Sequence, residues 1–148
     1  MADYPVAHSL GRIDIVTLNH TPALSRDVNN DLAAVQSAWP EFEGMFDSLQ
    51  GRKMMGLIYN EFYRMATIRL ERDRDNTPAL DETLIPGGKY LRLRLRGDAP
   101  AVYEKIAPAF EELFRRADHD AERPHIEHYR REGEVDCLVP IITNNQAS

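Results

Sequence analysis

The chain has 148 residues, 24 acidic against 18 basic, and a formal net charge of −6 at pH 7. Its 43% hydrophobic and 28% charged content is that of an ordinary globular protein and excludes collagen, coiled coil and extended disorder. A chain of this length is expected to form one domain spanning 1–148, and it buries enough surface to need no disulfide staples.

Residues 12–18 (Arg-Ile-Asp-Ile-Val-Thr-Leu) are rich in β-formers and predict a strand. From 27 to 49, Val28, Leu32, Val35, Trp39, Phe42, Phe46 and Leu49 recur at spacings of three and four, which predicts a helix. Asp27 is its expected N-cap, Pro40 predicts a kink or two consecutive helices, and Gly51 is the expected stop. Residues 54–60 and 62–70 predict a hairpin. The stretch 72–82, with Asp75-Asn76-Thr77-Pro78, predicts a linking loop. Ile85-Pro86-Gly87-Gly88 predicts a turn. Residues 89–96 alternate strictly, with Leu91, Leu93 and Leu95 on one face and Tyr90, Arg92, Arg94 and Arg96 on the other. Asp98 is the expected cap of a second helix with Pro100 in its first turn, carrying Val102, Ile106, Phe110, Leu113 and Phe114. Pro108 threatens a kink. Strands at 125–130 and 134–141 follow.

An internal repeat lies in this order. Residues 39–46 (Trp-Pro-Glu-Phe-Glu-Gly-Met-Phe) and 107–114 (Ala-Pro-Ala-Phe-Glu-Glu-Leu-Phe) share Pro, Phe, Glu and Phe at the same four places. The flanking runs also match in order, so the chain reads as β-α-β-β twice, over about 10–71 and 84–142. The expected fold class is α+β: antiparallel sheet, helices on one face, and a ligand groove at the seam between the halves.

The second half carries further text. Ile85-Pro86-Gly87-Gly88-Lys89-Tyr90 fits an "I-P-x-G-x-Y" opening, and Gly97 precedes the helix. Pro124-His125-Ile126-Glu127-His128-Tyr129 fits "P-x-x-E-x-Y", and Leu138-Val139-Pro140-Ile141 fits a closing "I-P-I"-type strand. In this order and spacing the chain resembles the GyrI-like small-molecule-binding superfamily, which includes the effector-binding domains of AraC-type and MerR-type multidrug regulators and free-standing proteins. The resemblance implies a duplicated β-α-β-β fold with a ligand groove between the halves. It implies an acidic residue, here Glu127, that attracts lipophilic cations, and a pocket tyrosine, here Tyr90. Some members hydrolyse cyclopropane-bearing genotoxins, and one inhibits DNA gyrase. The first half fits less closely, with His20-Thr21-Pro22 where "H-x-G" is common. No DNA-binding segment precedes the fold, so a free-standing form is expected.

The candidate ligand-binding residues are Glu127, Tyr90, Tyr129, Tyr59, Arg92, Trp39 and Met55. A carboxylate among aromatic rings attracts an organic cation by charge, and the ring faces add about 0.5–2 kcal/mol. Alternation places Glu127 with Tyr129. Arg92 shares the face of Tyr90; if that face lined the groove, Arg92 would pair with Glu127 or turn the preference toward anions. Tyr59 corresponds to Tyr129 in the repeat, with Met55 on its face. Trp39 sits at core spacing between Val35 and Phe42, and serves equally as a pocket wall. Tyr63 and Phe62 are open between these roles. His125 and His128 point to opposite faces of one strand, so no metal site is expected. Cys137 is expected as a buried, inert thiol, and a single cysteine excludes an internal disulfide framework.

No cofactor is expected. The acidic balance argues against direct nucleic-acid contact, although 15 of the 18 basic residues are arginines and act locally. No apolar run reaches the roughly 18–20 residues of a membrane helix. The N-terminus lacks the basic and apolar parts of a signal peptide, so a cytoplasmic protein without a membrane partner is expected. The first functional reading is a receptor that senses or sequesters a hydrophobic, aromatic molecule without turnover, as in multidrug binding and transcription regulation. The alternatives are a hydrolase of strained electrophiles, with Glu127 as its catalytic group, and a gyrase-inhibitor-like module whose partner is a protein.

Overall fold

The computed structural model describes residues 4–46, 48–73 and 80–142. The elements run β1 (Val6–Ala7), β2 (Arg12–Leu18), β3 (Thr21–Asn29), α1 (Leu32–Glu43), β4 (Met54–Ile58), β5 (Phe62–Ile68) and β6 (Asp81–Ile85). They continue with β7 (Gly88–Arg96), a 3-10 turn (Ala101–Lys105), α2 (Ile106–Arg116), β8 (His125–Arg131) and β9 (Glu134–Pro140). All strand pairings are antiparallel and build one sheet of nine strands in the order β1-β2-β7-β9-β8-β4-β5-β3-β6. The class is α+β.

Several expectations are corrected. Residues 21–29 form a strand, where the apolar spacing predicts a helix from 27. Paired on both edges, by β5 and β6, this segment buries Ala23, Leu24 and Ser25. Val28 packs into the same core as the helix that follows, so its spacing to Leu32 mimics a helical stripe. Asp27 is therefore not an N-cap; it pairs with Arg64 on β5 at 2.7 Å. The cap is Asp31, whose Oδ1 accepts from the Ala34 amide at 2.8 Å. Helix α1 is a single helix that ends at Glu43, three residues past Pro40, rather than at Gly51. Asp98 offers no side-chain cap: it contributes its carbonyl to the Val102 amide, and a 3-10 turn leads into α2. Pro108 falls in the first turn of α2, where a missing N–H costs nothing. Residues 81–85 add an edge strand between the expected linker 72–82 and the expected turn at 85–88, overlapping both, and its polar character hid it. The loop signal at 75–78 lies outside the described residues.

Both helices cover the same face. Leu91, Leu93 and Leu95 of β7 pack with Val135, Cys137 and Val139 of β9 under Val102, Ala109, Phe110 and Leu113. Ala38 and Phe42 of α1 pack on Met54, Tyr63 and Met65. The opposite face has its own core of Ala23, Met55, Leu57, Ala66, Ile85, Tyr90, Ile126 and Leu138.

Two short links set the curvature. β2 is second in the sheet and β3 eighth, yet only Asn19 and His20 separate them. A flat sheet would hold them about 29 Å apart at six strand spacings of about 4.8 Å. Three residue steps reach about 10 Å. The second link, Pro86-Gly87, joins β6 at the edge to β7 in third place. The sheet must therefore curl, and the two links meet: the Gly87 amide donates to His20 Nδ1 at 3.1 Å. A Cβ on Gly87 would lie 2.7 Å from the His20 nitrogen and 2.8 Å from the Leu18 carbonyl oxygen. Arg123 fastens the seam by donating to the carbonyls of Gly87 (3.0 Å) and Ile141 (3.0 Å).

Gly87→Ala is expected to cost about 2 kcal/mol or more, the scale of a backbone clash that cannot relax. Gly97→Ala, whose Cβ meets only Val102 at 3.6 Å, is expected to stay within about 0.5 kcal/mol. Urea unfolding of both variants checks the pair.

Candidate functional site

The two helices do not meet. Between them, over the central strands β4 and β8, lies a groove of about 740 Å³, within the size range of small-molecule sites. Leu32, Val35 and Trp39 of α1 form one wall, and Tyr103, Ile106, Phe110 and Phe114 the other. Ile58, Tyr63, Glu127 and Tyr129 form the floor.

Glu127 is the only floor residue of those four that carries a charge, and it is held rather than free. Tyr63 donates to its Oε1 at 2.7 Å and Tyr129 donates to the same oxygen at 2.8 Å. Burial pushes its carboxyl above the usual carboxylate range, against the two hydrogen bonds. Burial, and after it the neighbouring carboxylate, pushes both phenols up, so they remain donors. Among the described residues no arginine or lysine pairs with Glu127. This contrasts with Asp14, Asp27, Asp73, Glu112 and Asp120, each of which has an arginine partner.

Tyr63 reaches Glu127 because of a glycine. Gly56 on β4 lies opposite Glu127 on one side and Met65 on the other. A Cβ at Gly56 would sit 1.8 Å from the Tyr63 hydroxyl oxygen, so the phenol occupies the space a side chain would fill. Aromatic edges complete the floor: Trp39 makes T-shaped contacts with Tyr129 at 5.7 Å and Tyr63 at 6.2 Å between ring centroids.

Of the residues singled out from the sequence, Glu127, Tyr129 and Trp39 come together here. Tyr90, Tyr59, Arg92 and Met55 do not. Tyr90 is fully buried on the opposite face, donating to the Pro86 carbonyl at 2.6 Å under the Arg123 guanidinium. Tyr59 stacks on Phe62 at 4.6 Å beside that same core. Arg92 pairs with Asp14 at 2.7 Å rather than with Glu127. Arg92 and Met55 instead line a second cavity of about 480 Å³ on the opposite face. His125 lies on the helix face, against Phe110 and Phe114, and His128 on the other. Cys137 is buried, and burial raises its thiol pKa. Tyr63 and Gly56 complete the site; an isolated glycine within an apolar strand is the signal for such a close approach.

Folding leaves Glu127 with its proton held more tightly than in an unfolded chain. Its ionisation therefore costs stability as pH rises from the ordinary carboxylate range through its raised pKa. Glu127→Gln keeps an acceptor for both tyrosines and removes that cost. The variant is expected to gain stability relative to wild type as pH rises through this window, with no gain below it. Urea midpoints from pH 4 to 8 check this.

No family profile and no curated protein matches the chain. Solved structures do. An integron cassette protein from the mobile metagenome of Vibrio cholerae superposes with a TM-score of 0.70 at 15% identity, over 88% of this chain and 95% of its own. SAV2435, solved bound to tetraphenylphosphonium, superposes with a TM-score of 0.64 at 12% identity, over 90% of this chain and 96% of its own. A hydrolase from Listeria innocua follows at 0.55 and 13%, over 88% and 91%. At 15% identity or less, these likenesses establish that the chain shares the fold of these three proteins.

Proposed function

We propose that the chain is a receptor for a small lipophilic aromatic cation, held in the groove between α1 and α2 as a ligand sensor or sequestering protein. The observation that carries this reading is Glu127: a half-buried carboxylate without a basic partner among the described residues, on the floor of an aromatic groove. Burying such a charge is costly until a counter-charge arrives. An aromatic cation supplies one while burying apolar surface, and the rings of Trp39, Tyr63 and Tyr129 add cation–π attraction. The shared fold with a protein solved around tetraphenylphosphonium supports the ligand class.

The strand order supports a GyrI-like duplicated arrangement of most of the chain. Outward from the β4–β8 contact it runs β4-β5-β3-β6 on one side and β8-β9-β7-β2 on the other. The repeated units are then β3-α1-β4-β5 and β7-α2-β8-β9, with the groove at their seam.

Trp39 is the only tryptophan and lines the groove, so its fluorescence reads occupancy directly. Tetraphenylphosphonium is expected to quench it saturably, with affinity rising with pH as Glu127 ionises. Glu127→Gln is expected to weaken binding at least tenfold, about 1.4 kcal/mol, and to remove the pH dependence. Equal affinity in the variant would refute the proposal. Gly56→Ala, which evicts the Tyr63 phenol, is expected to cost about 1–3 kcal/mol of stability and to weaken the same binding.

A second reading rests on the same carboxylate. A glutamate with a raised pKa beside two phenols suits general acid–base work on a strained electrophile, and a hydrolase shares the fold. Product formation from a cyclopropane-bearing substrate, lost in Glu127→Gln, would favour it over binding alone.

A further inference from the structure

The opposite face of the sheet holds a second cavity, of about 480 Å³, which the proposed receptor function does not use. The curl that brings the two links together also encloses this space. Its floor is apolar, with Met55, Ile85, Ile126 and Leu138 drawn from the core of that face. One end is lined by Arg92, Arg94, Arg130 and His128 around Asp136, which is 3% exposed.

The charges at that end do not balance. Three arginines, Arg92, Arg94 and Arg130, line it with a single carboxylate, Asp136. This local excess of positive charge sits in a chain whose net charge is −6. The hydrogen-bonding capacity is also unspent. Each guanidinium carries five N–H donors. Arg94 commits Nε to Asp136 at 3.2 Å, and Arg130 commits Nη1 to Glu134 at 3.4 Å. His128 Nε2 is buried with no hydrogen-bond partner among the described residues. Burial pushes the His128 pKa down to about 4, so the ring is neutral at pH 7 and offers one N–H donor.

We infer that this cavity is a binding site for an amphipathic organic anion, its tail on the Met55–Ile126–Leu138 floor and its headgroup between Arg94, Arg130 and His128. Guanidinium pairs bind carboxylate and phosphate in the same forked geometry, so the shared chemistry is an anionic headgroup on an apolar body. The site is separate from Glu127, since the sheet lies between them.

Methionine-methyl NMR tests this without mutation, because Met55 is the one methionine that lines the cavity among the described residues. Octanoate and octyl phosphate, titrated into the full chain, identify the headgroup. Uncharged octanamide is the matched control. Expected is a saturable shift of the Met55 methyl with at least one anion, at least tenfold tighter than with octanamide, and no change in Trp39 fluorescence. Arg94→Gln is expected to weaken the anion at least tenfold. Should that variant fail to fold, the anion-against-amide comparison on the wild type decides. An unmoved Met55 methyl, equal binding of octanamide, or quenching of Trp39 by the anion would overturn the inference. None of these outcomes bears on cation binding at Glu127, which is read by tetraphenylphosphonium.

Discussion

Everything in this structure depends on two short links that join strands lying six places apart in the sheet. Asn19-His20 and Pro86-Gly87 are too short to bridge a flat sheet, so the sheet curls until they touch. One face then wraps a core around Tyr90, Leu57 and Ile126. The other is left to two helices, α2 over β7 and β9 and α1 over β5 and β3, which leave the central strands β4 and β8 largely open between them. The groove is what the curl and the helix placement leave open. Tyr90 belongs to this constraint: its hydroxyl and the Arg123 guanidinium hold the Pro86-Gly87 link in place.

Within that frame, the central physical contrast is between paired and unpaired carboxylates. The chain is rich in arginine, and Asp14, Asp73 and Asp120 each hold one, which keeps their carboxyls below the usual range. Glu127 has two phenols instead. Hydroxyl groups orient a carboxylate and tolerate its charge without neutralising it. The site is thus poised to gain when a cation enters, and the molecule bears a stability cost for it at neutral pH. Gly56 is the smallest part of this arrangement and an indispensable one, since it gives Tyr63 its path across the strand.

Much of the architecture was legible in the sequence. The strict alternation of Tyr90 to Arg96 separated the two faces of β7, and the apolar spacing that holds Val35, Trp39 and Phe42, and later Ile106, Phe110 and Leu113, marked both helices. Misreadings arose where two signals coincided. Val28 stands four residues before Leu32 on a strand that feeds the same core, and so extends the apparent helical stripe. Asp27 mimics a cap because it stands just before the apolar stripe, but it lies on a strand and its charge is spent on Arg64. Strand β6 was hidden by the polarity that an edge strand requires.

The sequence by itself determined the local periods, the α+β class, and the pairing of Glu127 with Tyr129 on one strand face, because these depend on residues two to four apart. The tertiary structure decided which side chains gather around the Glu127 and Tyr129 pair. Tyr63 and Trp39 come from 64 and 88 positions away in the chain, and arrive only because β4 pairs with both β5 and β8 and α1 crosses above them. It also decided that Tyr90 and Arg92 face away from the groove. Alternation assigns residues to two faces, but only the placement of the helices says which face holds the groove, and that follows from long-range packing.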